Sequence, residues 1–351
     1  MLRAARAART VVVAASALAL ALMLAPAPQA SGAAPKALVQ GVVDRHGPVA
    51  TKTAFRNVVN AGVISVNWSA IQKNQGGALT TGAIDDAIRR AENAGNLVKL
   101  KVYAGREAPN WAKNLDGAPY CLYDPPNTRT CYSMPRFWTA NFRAAYDDLL
   151  SKLAARYENN ETVTTLQVAR CTTMNAEPFL RQAGTSANRR ALLNAGFTVE
   201  KDEACLRQQL ESHATLFPRT RSDLAIHPYH RIKSASAFAS DQDFTRSIMN
   251  YCRNVLGTRC VLGHTSLGKR YDAGSPEAQM YRDIEALGAP IWMQTATMQK
   301  LGGKCADLID ALIEGDRRKA SNVELPIAYD DKCTPDKLRS GDTALETNAT
   351  S

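Results

Sequence analysis

The chain has 351 residues, and reading the first 33 as a leader leaves 351 − 33 = 318, above the usual single-domain size but within reach of one α/β barrel. Its formal charge of +10 includes Arg3, Arg6 and Arg9 of that leader, so 10 − 3 = +7 remains, an excess that suits an anionic cell-surface polymer or simple solubility. The basic residues are scattered over expected helices, which argues against a nucleic-acid face, and the eight cysteines include no C-x-x-C pair, which argues against zinc ribbons and thioredoxin-like redox motifs.

The chain opens with MLRAARAART, continues as the apolar run VVVAASALALALMLA and passes into APAPQASGAAP, the three-part pattern of a secretory signal. The apolar stretch is shorter than the roughly 20 residues a membrane span needs, and Pro26 and Pro28 follow it. Residues 1–33 are therefore expected to be removed, leaving an exported protein with no stable membrane anchor. An even cysteine count permits complete pairing in an oxidising compartment. Local spacing suggests Cys121–Cys131, Cys171–Cys205, Cys252–Cys260 and Cys305–Cys333; the sequence itself supports only the first and third of these.

After the leader, apolar β-branched runs alternate with segments whose apolar residues recur every three or four positions, the pattern of a parallel sheet with crossover helices. The expected strands are 38–44, 62–68, 97–103, 164–171, 223–229, 260–266, 291–297 and 323–329. Helical stripes fall between them. Ile84, Ala87, Ile88 and Ala91 form the first and end at Gly95, a natural helix stop. Trp138, Phe142, Ala145, Leu149 and Leu153 form the second, and Phe244, Ile248, Tyr251 and Val255 the third. Pro276 opens a fourth with Met280, Ile284 and Leu287, and Cys305, Leu308, Ile309, Leu312 and Ile313 give a fifth. Eight such strands predict a (β/α)8 TIM barrel, a single α/β domain over 36–333, with its site at the carboxyl ends of the strands. A doubly wound open sheet is disfavoured, because no G-x-G-x-x-G or P-loop sequence occurs. The polar, aperiodic segment 334–351 is expected to be a flexible tail.

His46, His227, His230 and His264 fall at or just beyond expected strand ends, as do Trp68 and Trp111, while Trp292 lies within the seventh strand. The long third βα loop, about 105–135, adds Arg106, Tyr120, Tyr123 and Tyr132 and the Cys121–Cys131 pair. Aromatic faces above a barrel mouth suit sugar rings, although the same residues could merely pack the loop onto the barrel. Glu177, in the segment TTLQVARCTTMNAEPFL, is the sharpest single feature. Glycosidic cleavage needs one carboxylic acid whose pKa is raised by partial desolvation, and a second carboxylate as nucleophile or base. The competing reading is a solvated Glu capping the next helix.

The sequence N-A-E-P at Asn175–Pro178, on the fourth expected strand, resembles the motif of the clan-A glycoside hydrolases, TIM barrels whose fourth strand ends in Asn-Glu-Pro with the Glu as acid/base. VNWSAIQ and AGREAPNW resemble the substrate-facing turns after strands two and three of that clan. The resemblance implies a hydrolase acting on a glycan, with Glu177 as general acid/base, and a nucleophilic Glu ending strand seven. There the chain reads IWMQTATM, placing Gln294 in the nearest position, and an amide cannot act as a carboxylate nucleophile. Three alternatives stay open. A carboxylate from elsewhere, with Asp44, Glu107 and Asp330 the candidates by strand-end position, could complete the pair; Glu324 is placed at the far end of the barrel. Gln294 could orient a water or an acetamido group. Or the barrel could bind carbohydrate without cleaving it.

Glu177, Gln294 and His264 are thus the expected catalytic residues, with Asn175, Trp68, Arg106, Trp111, His227, Tyr229 and Trp292 as substrate-binding residues. No cofactor and no resident metal is expected, the partner being a carbohydrate, including an anionic polysaccharide, and not nucleic acid. Histidines 227, 230 and 264 raise a metal-dependent hydrolase as a rival, but the first strand offers only His46 and not an H-x-H pair. Serine chemistry is disfavoured, because G-H-T-S-L-G departs from G-x-S-x-G.

Overall fold

The computed structural model describes residues 33–124, 127–268 and 274–348. The expected leader, up to residue 32, lies outside the described residues. Eight strands form the barrel: β1 (Gly41–Asp44), β2 (Ala61–Asn67), β3 (Leu97–Tyr103), β4 (Val163–Gln167), β5 (Arg221–Ala225), β6 (Cys260–Leu267), β7 (Ile291–Thr295) and β8 (Asn322–Glu324). Each pairs in parallel with its chain neighbours, and β1 pairs with both β2 and β8, so the sheet closes. The expected (β/α)8 architecture is the one observed.

Around it run α1 (Gly82–Ala94), α2 (Ala140–Tyr157), α3 (Ser186–Asn194), α4 (Val199–Leu216), α5 (Gln242–Leu256), α6 (Pro276–Ala286), α7 (Cys305–Arg317) and α8 (Pro335–Thr347). Helix α1 buries Ile84, Ala87, Ile88 and Ala91 and stops at Gly95, whose φ of 70° suits a residue without Cβ. Two helices with no expected stripe, α3 and α4, fill the β4–β5 connection. Their Thr185 and Thr198 side chains accept from the amides of Asn188 and Lys201, N-caps that the sequence reading overlooked. On α7, Leu308 and Leu312 are buried as expected, but Ile313 is 51% exposed, so it belongs to the solvent face.

The expected flexible tail is a correction. Residues 335–347 form α8, whose Leu338 and Leu345 are fully buried against the barrel. Burying each of two leucines contributes about 1.5–3 kcal/mol, enough to order a helix of this length. Asp342 of α8 accepts from the Val42 amide at 2.7 Å. A Cβ on Gly41 would stand 2.1 Å from the same carboxylate, and Gly41 has φ of 75°, so glycine is required there.

The inside of the barrel is charged. In β3, LVKLKVY, the pleat turns Val98, Leu100 and Val102 toward the helices and leaves Lys99 and Lys101 inside. Lys99 pairs with Asp223 and Glu324, each at 2.8 Å, and Lys101 pairs with Glu324 at 2.6 Å. These four groups are almost fully buried, a setting in which charges persist only when paired. All four suggested disulfides form, which suits an oxidising, extracytoplasmic environment. Among the described residues no helix is long and apolar enough to cross a membrane.

Candidate functional site

Strand β4 ends at Gln167, so Glu177 sits on a loop beyond it and not at the strand end itself. That loop is held from several sides. The Gln167 amide donates to the Ala176 carbonyl, the Arg106 amide donates to the Thr173 carbonyl at 2.9 Å, and the Cys171–Cys205 bridge ties the loop to α4. Gly105 has φ of 53°, and a Cβ there would stand 2.1 Å from the Thr173 carbonyl oxygen, so only glycine lets the β3 and β4 loops meet.

Thr265 donates to Glu177 Oε1 at 2.5 Å, Arg181 pairs with Oε2, and His227 Nε2 lies 3.3 Å from Oε2. Burial pushes the Glu177 pKa upward, but His227, Arg181 and the Thr265 hydroxyl outweigh it and hold the carboxyl well below the usual carboxylate range. The expectation of a raised pKa is therefore corrected: at neutral pH Glu177 is an ionised acceptor, because a guanidinium and a hydroxyl both donate to it. Burial pushes the His227 imidazole down, which makes it neutral at pH 7. Its Nε2 is 2.9 Å from Thr265 Oγ1. A proton on Nε2 lets this ring donate toward Thr265 and Glu177 while Thr265 donates to Glu177, a consistent chain. His264 packs on His227 at 4.5 Å between ring centroids, and its Nδ1 donates to the Ile226 carbonyl at 2.8 Å. Burial, with His227 beside it, holds His264 well below its usual pKa.

Glu177 and Asn175 line two adjoining cavities. The larger, about 710 Å³, also has Arg181, His227, His264 and Glu277 in its wall. The smaller, about 400 Å³, has Lys101, Tyr103, Thr265, Gln294 and Arg45. Gln294 is held at both ends of its amide: Lys101 Nζ donates to Oε1 at 3.2 Å and Nε2 donates to the Thr265 carbonyl at 3.2 Å. A hydrogen-bonded chain thus runs from Glu324 through Lys101, Gln294 and Thr265 to Glu177.

Glu177, Gln294, His264, Asn175 and His227 are brought together. The others are not. Trp68 is fully buried, edge-on to Trp111, Phe142 and Tyr146, because its short helix points it inward. Trp292 is also fully buried, inside the barrel under the Lys99 ammonium at 4.2 Å from its ring centroid. Gly263 makes room for it, since a Cβ there would meet the Trp292 ring at 2.5 Å. Tyr229 is buried too, stacked on Phe244 and donating to Asp202 at 2.9 Å. These three are core residues and correct the expectation that they bind substrate. Arg106 and Trp111 line a separate cavity of about 530 Å³ between the β2 and β3 loops.

The candidate second carboxylates are engaged elsewhere. Asp44 accepts from the His46 amide at 2.7 Å and from Tyr329 at 3.0 Å; Glu107 pairs with Arg106 at 3.0 Å; Asp330 lies 3.7 Å from Lys52. None lines either cavity around Glu177. Glu324 is corrected in position: it ends β8, level with Gln294, and its carboxyl is driven down to about 2 against burial by Lys101 and Lys99. Among the described residues, no group of three or more His, Cys, Asp or Glu is placed to hold a metal ion. Sequence reasoning overlooked Arg181, Thr265 and Lys101.

No family model matches the chain, and no curated protein matches it by sequence. Solved structures match by fold. An endo-glycoceramidase II from Rhodococcus sp. has a TM-score of 0.51 at 14% identity, over 87% of this chain and 79% of that one. A cellulase in an inhibitor complex has a TM-score of 0.52 at 12% identity, over 88% and 93%. An endo-beta-1,4-glucanase from Xanthomonas axonopodis pv. citri has 0.50 at 9%, over 88% and 100%. The chain therefore shares the eight-stranded parallel barrel fold of these structures.

Proposed function

We propose that this protein is an exported barrel that holds a glycan at its mouth through Glu177 and does not cleave it by the two-carboxylate retaining route. The observation that carries this reading is the environment of Glu177. It is ionised, paired with Arg181, and shares the smaller cavity with the amide of Gln294, with no other carboxylate in that wall among the described residues. An ionised carboxylate accepts from sugar hydroxyls with bonds of the stronger, charge-assisted kind but has no proton to give a leaving oxygen. Asn175 and His227, in the same wall, supply further polar partners. Export is supported by the leader pattern together with four disulfides.

A second reading draws on Glu277, which shares the larger cavity with Glu177. An inverting hydrolase would use Glu177, already ionised, to activate water and Glu277 to protonate the leaving oxygen. One experiment separates the two. Purified protein is challenged with a panel of polysaccharides, and retention and release of reducing ends are measured together. The expected result is retention without release, with affinity falling about tenfold in Glu177→Gln as a charged acceptor is lost. Release that disappears in both Glu177→Gln and Glu277→Gln would overturn the binding reading in favour of inversion.

A further inference from the structure

The cavity between the β2 and β3 loops carries an inference about which glycan binds, and it rests on the glycan reading above. Its wall contains Lys73, Arg106 and Lys113 together with the half-buried ring of Trp111 and, among the described residues, no acidic one. The carboxylate paired with these cations is Glu107, which binds Arg106 Nε at 3.0 Å and also accepts from Asn67 at 2.9 Å. Three cations against one carboxylate leave 3 − 1 = +2 at this place. Lys73 donates to the Ser69 carbonyl at 3.0 Å and Lys113 to the Arg106 carbonyl at 2.5 Å. Those carbonyls orient the ammonium groups without neutralising them, and each ammonium has three donors to place.

Trp111 is fixed from behind. It stands edge-on to the buried Trp68 at 5.5 Å, and its Nε1 donates to the Gln72 carbonyl at 3.3 Å. A rigid aromatic wall beside clustered cations suits a sugar ring whose C–H face stacks on the indole while an anionic substituent meets the ammonium groups. The loop that carries this cavity is tied to the Glu177 loop. The Arg106 amide is bonded to the Thr173 carbonyl, two residues before Asn175. A polymer lying along the barrel mouth would reach both, whereas a small free anion would reach only one.

We propose that this cavity is an anionic-sugar subsite, taking a uronate carboxylate or sulfate ester of a glycan chain whose neighbouring sugars lie in the Glu177 cleft. The test measures affinity for polygalacturonate and dextran sulfate beside two neutral counterparts, fully methyl-esterified polygalacturonate and dextran, at low and high salt. At least one anionic polymer should bind at least tenfold more tightly than its neutral counterpart at low salt, and the preference should shrink as salt is raised. Lys73→Gln/Lys113→Gln should weaken that binding about tenfold, and Lys73→Gln alone, at an exposed position where folding does not depend on the side chain, about threefold. The charge-matched Arg89→Gln/Arg90→Gln on α1 should leave it unchanged.

An equal loss in the α1 variant would mean diffuse attraction and overturn the proposal. So would displacement by inorganic phosphate at the polymer's saccharide concentration, which would indicate a free-anion site. Equal binding of charged and neutral polymers would sink this inference while leaving the glycan reading in place. Failure of every polymer to bind would remove the glycan reading as well.

Discussion

Replacing Lys101 with methionine tests the link between the charged barrel interior and the site above it. Lys101 is almost fully buried, pairs with Glu324 at 2.6 Å and donates to Gln294 at 3.2 Å. Removing one partner of a buried ion pair costs about 3–5 kcal/mol, because the other charge is left without compensation. Lys99 still holds Glu324 at 2.8 Å, so the cost should lie near the lower end, about 3 kcal/mol. At roughly 2–4 °C per kcal/mol for a large domain, the melting temperature should fall by about 6–12 °C. The orphaned charge can be removed separately: Lys101→Met/Glu324→Gln should recover most of the loss in a double-mutant cycle followed by thermal or urea unfolding. A single variant within about 1 kcal/mol of the parent, or a double variant no better than the single, would refute the account of the interior as a mutually dependent ion-pair cluster.

Asp202 gives a pH prediction: burial pushes its carboxyl up to about 7 despite the bond from Tyr229, while in the unfolded chain it titrates near 3.8. The native state then binds the extra proton, so its contribution to stability is complete below pH 4 and lost as pH rises through 7, by about 4 kcal/mol at most. Asp202→Asn should flatten that part of the melting-temperature profile, and an unchanged slope would count against it. Gly105→Ala should destabilise by about 2 kcal/mol or more, since φ of 53° and the Thr173 carbonyl both oppose a Cβ; a melt within error of the parent would show that the loop pair adjusts freely. Removing residues 335–351 should expose the surface that Leu338 and Leu345 cover and lower the melting temperature, whereas a dispensable tail would leave it unchanged.

Much of the barrel was legible because its signals are local. Runs such as LVKLKVY and stripes such as Ile84, Ala87, Ile88 and Ala91 report strand and helix through neighbours a few residues apart. Helices α3, α4 and α8 went unread for the complementary reason: they are polar along much of their length, and their burial depends on a barrel surface that exists only after closure. The same distinction divides the site. His227 and His264 were found by position at or just beyond expected strand ends, a consequence of parallel topology, and Asn175, Glu177 and Gln294 by the resemblance to the clan-A pattern. Trp68 and Tyr229 lie just past strand ends and Trp292 within a strand, yet all three are buried, because the direction of a side chain depends on its pleat and on where the chain turns next.

From the amino-acid sequence alone came the closed eight-stranded plan, readable from period and spacing, while Glu177 and the amide at position 294 came from the resemblance of the N-A-E-P segment and the seventh strand to the clan-A pattern. Only the tertiary structure decided that Glu177 is an anion held by Arg181, Thr265 and His227, that Glu324 lies inside the barrel on two lysines, and that three cations gather beside Trp111. Charge state and charge clustering depend on groups distant in the chain and close in space, and Coulomb interactions act on that spatial distance.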